Sequence, residues 1–160
     1  MRYAGLNKND FSAAPGISVT FYTQGCPHKC AKCHNPETWD FTKGKEFAPE
    51  VLDEILMALK ANGIHRSLAV QGGEPLCLEN AFLTLLIIKT VKEKYPDVDV
   101  YIWTGYYFTE IPKSPHIDEI LKYTKCIVDG PYIDSERDIT LSMRGSRNQN
   151  IIYLDKEKNI

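Results

Sequence analysis

The sequence predicts an α/β fold built on a parallel sheet. Runs rich in β-branched and aromatic residues alternate with longer runs of helical periodicity, and parallel strands joined by helical crossovers produce that order. The 160 residues are enough for one domain and short for two, so we expect a single domain over residues 1–160. A complete (β/α)₈ barrel needs about 250 residues, so barrel-like curvature in this chain would be partial and open on one side.

The individual elements follow from local composition. Residues 17–23 are β-branched and aromatic, as strands tend to be. A helix is predicted to begin at Pro49, because proline is favoured in the first turn, and to stop near Gly63. The remaining predicted elements are a strand at 67–70, a helix at 81–95, a strand at 98–103, a helix at 117–123, and strands at 126–128 and 151–154.

An unusual segment follows each of the four predicted parallel strands. In chain order these segments are TQGCPHKCAKC, QGGEP, TGYY and DGPY. Loops at the carboxyl ends of parallel strands open on the same side of a sheet, where such folds place their chemistry. The sequence therefore predicts that all four segments meet at one site.

Composition and charge exclude several classes of protein. Hydrophobic residues make up 43% and charged residues 25%, which is typical of a globular domain and excludes disorder as the main state. The net charge of −2 gives no basic field for nucleic acid, and we expect no nucleic-acid partner. The longest apolar run, at 82–91, is too short and too interrupted for a membrane span, so we expect no membrane partner. Residues 1–10 lack the apolar core of a secretory signal, and five cysteines are an odd number for a disulfide framework. We therefore expect a cytoplasmic protein with reduced thiols.

Three of the five cysteines form a C-x3-C-x2-C cluster, at Cys26, Cys30 and Cys33. A continuous helix would place the first and last about 10 Å apart along its axis, so we expect a loop that wraps a small object. Thiolates are soft ligands suited to iron–sulfur clusters and to zinc. Two interpretations stay open on spacing alone: a cluster with one open iron, or a Cys₃His zinc site that uses His28 or His34.

The motifs resemble those of a known superfamily. C-x3-C-x2-C after one strand, with GGEP after the next, is similar to the radical S-adenosylmethionine superfamily. The HNPETW segment at 34–39 is similar to glycyl-radical enzyme activases. WTGY at 103–106, VDG at 128–130 and RGSRNQ at 144–149 resemble activases of anaerobic ribonucleotide reductases in particular. Many members carry an aromatic residue just before the third cysteine, where this chain has Lys32.

The resemblance implies the fold, the cofactors, the partners and a set of site residues. It implies a partial, open (β/α) barrel-like parallel sheet of the radical SAM type. It also implies a [4Fe–4S] cluster held by the three cysteines, with S-adenosylmethionine bound at the open iron. The implied activity generates a 5′-deoxyadenosyl radical and installs a glycyl radical on the large subunit of an anaerobic ribonucleotide reductase. The resemblance also implies a low-potential electron donor such as a flavodoxin. It implies no catalytic residue beyond the cluster and the cofactor. The implied cofactor-binding residues are Lys32, His34, Gly72, Gly73, Glu74 and Thr104.

Two of the candidate groups have a direct chemical rationale. The carboxylate of Glu74 suits the ammonium group of the methionine part of the cofactor. Arg144, Arg147 and Asn148 are candidates to bind a carboxylate or an extended peptide, with a solvated basic loop as the alternative.

Two other functions compete with this interpretation. One is an activase of a different glycyl-radical enzyme, of the pyruvate formate-lyase type, against which the short chain and the RGSRNQ segment argue. The other is a non-catalytic zinc or iron–sulfur binding module, which would explain the cysteines but leave the GGEP and WTGY loops without a purpose.

Overall fold

Seven strands form one mixed sheet in the computed structural model, which describes residues 1–154. The order across the sheet is β3-β1-β2-β4-β5-β6-β7. The strands are β1 (Arg2–Asp10), β2 (Ser18–Thr23), β3 (Lys45–Glu46), β4 (Ser67–Gly72), β5 (Val100–Trp103), β6 (Cys126–Asp129) and β7 (Asn150–Tyr153). Residues 155–160 of the predicted domain lie outside the described residues.

The four central strands, β2, β4, β5 and β6, are parallel, which confirms the predicted α/β architecture. Three helices make the crossovers between them: α1 (Pro49–Leu59), α2 (Leu78–Lys94) and α3 (Pro115–Tyr123). Each helix lies within a few residues of its predicted position. The predicted strand at 151–154 is also present as β7, but it pairs antiparallel with β6.

Composition does not predict β1, the first strand in the chain. β1 runs antiparallel to β2 over nine residues, with two register shifts, and also pairs with the short β3. Its sequence, RYAGLNKND, is polar and lacks apolar alternation, and most of its side chains are only partly buried. Tyr3 and Leu6 pack against the main core although they are three positions apart, with a register shift between Tyr3 and Gly5. These positions do not follow the period of two that indicates a strand, so periodicity gave no signal for β1.

The main hydrophobic core lies between the sheet and the helices. It includes Phe21 from β2, Val70 from β4 and Ile102 from β5, all fully buried. Ile55 of α1 and Ile88 of α2 pack into the same core. Among residues 1–154 we find no helix with the length and apolar character that a bilayer crossing requires.

A buried aspartate holds the turn between β1 and β2. Thr20 donates its hydroxyl proton to Asp10 Oδ2 at 2.7 Å, and the backbone N–H and hydroxyl of Ser12 donate to Oδ1 at 2.9 and 2.8 Å. Burial alone would raise the pKa of Asp10, but these hydrogen bonds outweigh burial and hold the pKa below its usual 3.8. The turn places Ser12 and Ala13 beside the site described below.

The Asp10→Asn variant should lose about 1–3 kcal/mol of unfolding free energy, because an amide cannot accept all three hydrogen bonds. The native pKa lies below the unfolded one, so the carboxylate contributes fully above the unfolded pKa of about 4. That contribution is lost as pH falls through the lowered native pKa. Urea unfolding of both proteins between pH 7 and pH 2.5 measures this. Asp40→Asn is the control: Asp40 is exposed and accepts from Thr42 through one oxygen, which an amide can replace, so this variant should lose less. Equal losses in the two variants would contradict the assignment.

Candidate functional site

The carboxyl ends of the parallel strands surround a cavity of about 450 Å³. This volume lies within the range of about 300–1,000 Å³ that small-molecule sites occupy. The segments after β2, β4, β5 and β6 all contribute to its walls, as predicted from the four unusual loops. The lining includes Ser12, Cys33, His34, Asn35, Gly72, Gly73, Trp103, Thr104, Gly105, Tyr132, Met143, Arg144 and Gln149.

The cysteine segment is a loop, as predicted, and backbone hydrogen bonds hold its two ends. The N–H of Gly25 donates to the carbonyl of Thr38 at 2.7 Å, and that of Cys26 donates to Trp39 at 3.1 Å. Lys29 and Lys32 have φ values of +49° and +59°, so the segment is not a helix.

The three thiols of this loop have the donor chemistry that an iron–sulfur site requires. Cys26, Cys30 and Cys33 are all free and partly exposed. The N–H of Asn35 donates to Cys33 Sγ at 3.4 Å, and hydrogen bonds of this kind are among those that tune cluster potentials. Burial raises the pKa of Cys26 to about 11, against the opposing effect of backbone N–H groups of His28 and Lys29. Within residues 1–154 no three His, Cys, Asp or Glu side chains are grouped as ligands of a single metal ion.

The two glycines of the GGEP segment pack directly against the start of the cysteine loop. The N–H of Gly73 donates to the Thr23 carbonyl at 2.9 Å, and that of Glu74 donates to the Gly25 carbonyl at 2.8 Å. A Cβ atom at position 73 would overlap the Gly25 carbonyl oxygen. Glycine is therefore required where these two loops cross, and both Gly72 and Gly73 line the cavity.

The Glu74 carboxylate is fully buried and accepts four hydrogen bonds. Oε1 accepts from the N–H of Leu76 at 2.9 Å and from the hydroxyl of Thr104 at 2.8 Å. Oε2 is 2.6 Å from His28 Nε2 and accepts from the N–H of Gly105 at 2.7 Å. The predicted pairing of Glu74 with a cofactor ammonium would require at least one of these bonds to break.

His28 enters a slot between the cysteine loop and the segment after β5. Its ring makes an edge-on contact with Tyr106, with 4.4 Å between centroids, and a Cβ atom at Gly105 would overlap it. Because Nε2 is occupied by Glu74, a Cys₃His zinc site could use His28 only through its other ring nitrogen.

Of the other three predicted cofactor-binding residues, two line the cavity and one does not. His34 and Thr104 line the cavity, and the His34 ring lies 5.1 Å from that of Tyr132. Lys32 does not line it: its exposed ammonium pairs with Asp134 at 3.2 Å.

One wall of the cavity comes from the segment between β6 and β7. Trp103 Nε1 donates to the carbonyl of Met143 at 2.8 Å, which holds this segment against β5. Arg144 is the only Arg or Lys among the lining residues. Its Nη1 donates to the Gln149 carbonyl at 3.2 Å, and its buried Nε has no hydrogen-bond partner among the described residues. The RGSRNQ motif gave a signal for this wall and the DGPY segment gave one for Tyr132, whereas nothing in the sequence indicated Ser12.

Comparison with known proteins identifies the family of this chain. The family model described as a 4Fe-4S single cluster domain matches residues 13–152. The chain is 35% identical over 150 residues to a Vibrio cholerae protein named anaerobic ribonucleoside-triphosphate reductase-activating protein, covering 93% of this chain and 96% of that protein. Proteins of the same name from Pasteurella multocida and Enterobacteria phage T4 are 35% and 33% identical, covering 96% and 94% of this chain and 97% and 93% of theirs. The match to the cluster-domain model and the near full-length similarity to these relatives show that the chain belongs to the 4Fe-4S single cluster domain family and, within it, to the anaerobic ribonucleoside-triphosphate reductase-activating proteins.

Proposed function

We propose that this protein is a radical S-adenosylmethionine activase that installs a glycyl radical on the large subunit of an anaerobic ribonucleotide reductase. The observation that carries the proposal is the position of Cys33. Its loop forms one wall of the cavity that Gly72, Gly73 and Thr104 also line. A cluster held by this loop would therefore lie beside a space large enough for a small-molecule cofactor.

The chemistry belongs to the cluster and the cofactor. A [4Fe–4S] cluster held by Cys26, Cys30 and Cys33 would supply one electron for cleavage of the S–C5′ bond of S-adenosylmethionine, giving methionine, and the hydrogen atom taken from the partner glycine would end in 5′-deoxyadenosine. The protein's own residues hold the reactants and exclude water and other hydrogen donors.

We assign the cavity residues according to charge. None of the lining residues is an Asp or Glu, so backbone carbonyl groups of the Gly72–Gly73 segment are the proposed acceptors for the cofactor ammonium. The guanidinium of Arg144 is the proposed partner of the cofactor carboxylate, because its orphaned Nε–H lacks an acceptor within the described residues. His34 and Thr104 are proposed to contact the rest of the cofactor from opposite walls.

The proposal also covers the form of the sheet, the partner loop, the electron donor and the cellular location. We propose that the parallel strands curve as a partial radical SAM barrel within one domain, and that the partner's glycine-bearing loop covers the open side of the cavity. A low-potential protein such as a flavodoxin is the proposed electron donor. We place the protein in the cytoplasm, since the three cluster thiols must stay reduced.

Replacing Cys26, Cys30 or Cys33 with Ala should abolish cluster binding, because each thiolate is proposed to ligate a different iron. Iron and sulfide content after anaerobic reconstitution, followed by formation of 5′-deoxyadenosine and of the partner's glycyl-radical EPR signal, measures this. Cys126→Ala is the matched control, because Cys126 is buried in β6 and should leave all three readouts intact. A full cluster in any of the three variants, or one tightly bound zinc in the wild type without iron, would contradict the proposal.

The Arg144→Met variant should bind S-adenosylmethionine about 10- to 100-fold more weakly, the usual loss when a charged hydrogen bond is removed. Decarboxylated S-adenosylmethionine should bind the variant and the wild type equally, since it lacks the carboxylate. Equilibrium binding to the reconstituted protein measures both affinities. Arg147→Met removes an exposed guanidinium that does not line the cavity and serves as the control. Equal weakening of both ligands would show that Arg144 does not contact the carboxylate.

A further inference from the structure

The Glu74 carboxylate connects three segments that are distant in the chain. It lies 46 residues from His28 in the cysteine loop and 31 residues from Gly105 in the segment after β5. A buried carboxylate is tolerated only when its oxygens are hydrogen-bonded. All three segments must therefore be in place together for the group to be satisfied.

The direction of each hydrogen bond can be read from its partners. The N–H groups of Leu76 and Gly105 can only donate to Glu74. The Thr104 hydroxyl accepts from the N–H of Tyr106, which leaves its proton for Glu74. The fourth position faces His28 Nε2, and we assign the proton of that bond to the imidazole.

His28 is the partly buried side-chain anchor that lies between the first two cysteines of the loop at 25–39. The side chains of Gln24 and Asn80 hold the two ends of this loop, by donating to the carbonyl groups of Glu37 and Gly25. Among residues 26–33, only His28 and Lys32 make side-chain hydrogen bonds to groups outside the loop, within the part of the chain that the structure describes. The Lys32 ammonium is 75% exposed, so its ion pair adds little. The His28 side chain is 16% exposed and meets a fully buried partner.

We propose that His28 is a positioning residue that holds the cysteine loop against the cofactor cavity through its Nε2–H hydrogen bond to Glu74. The expected effect on cofactor binding rests on the proposed function. The contact between His28 and Glu74 does not, because it is made by the protein without any ligand. In this role His28 is not a cluster ligand. Glu74 acts on the cofactor indirectly, by fixing the loop that carries Cys26, Cys30 and Cys33.

The substitutions that separate this role from general stability are His28→Leu and His28→Gln. Leucine fills part of the slot without a donor, whereas glutamine retains an amide N–H at the reach of Nε2. In the reconstituted full chain, His28→Leu should keep its iron but bind S-adenosylmethionine about 10-fold more weakly, as expected for a lost charge-assisted hydrogen bond. The change that S-adenosylmethionine induces in the EPR spectrum of the reduced cluster should weaken in parallel. His28→Gln should restore both.

A second measurement does not depend on the cluster. Amide hydrogen exchange on the metal-free full chain should be faster at Cys26 and neighbouring loop amides in His28→Leu than in the wild type or His28→Gln, with α3 unchanged. The matched control is His65→Leu, which removes an exposed histidine 3.8 Å from Asp97. Unchanged exchange in His28→Leu would overturn the positioning role whatever the protein's function. Wild-type protein that binds no cofactor, with the exchange difference intact, would overturn the proposed function alone.

Gly105→Ala provides an independent test, because its Cβ would displace the ring without removing it. It should weaken cofactor binding in the wild type but have little further effect in His28→Ala, where the space is vacated; such non-additivity identifies residues that act through each other. Equal losses in the two backgrounds would overturn the proposal. So would loss of iron in His28→Leu that glutamine does not restore, since that result makes His28 a ligand.

Discussion

The arrangement of the site depends on one fully buried carboxylate. Taking an ion out of water costs several kcal/mol unless hydrogen bonds replace its hydration, and Glu74 receives four. Its donors lie on the loops that follow β2, β4 and β5. Correct placement of any one loop therefore depends on the other two. The parallel register of the three strands brings these loops together, and the hydrogen bonds of Glu74 then fix how they meet.

Antiparallel strands on the two sides of the parallel strands, β1 and β7, complete the cavity that the parallel strands begin. β1 reaches the cavity through the turn held by Asp10, which supplies Ser12. On the other side, β7 returns from the long segment that includes Arg144, and this segment is held at several points. Asp129 accepts hydrogen bonds from the backbone and side chain of Asn150 at 3.0 Å each, next to the contact between Trp103 and Met143. A short chain thus obtains walls from its antiparallel strands that a complete barrel would obtain from further strand–helix units.

The parts of the fold that bury apolar side chains could be predicted from the sequence. The parallel strands and all three helices leave a compositional or periodic signal, because each buries an apolar face. β1 leaves none, because Tyr3 and Leu6, which pack against the core, are three positions apart and do not alternate with polar residues. The spacing of the cysteines indicated them as candidate ligands. The contact of His28 with Glu74 could not be predicted, since the two residues are 46 positions apart and only the folded sheet brings them together.

The glycines of the site show why motif reading identified the correct segments but not all of their contacts. In sequence, GGEP and WTGY are typical of tight turns or of backbone that approaches a ligand. In the structure, the missing side chain at Gly73 makes room for the Gly25 carbonyl, and that at Gly105 makes room for the His28 ring. Both glycines also line the cavity, so each has one neighbour from the protein and one side open to a cofactor. A larger residue at either position would push the cysteine loop away from Glu74. The small residues are therefore needed for loop crossing before any ligand binds, and the space for a cofactor is a consequence of that crossing.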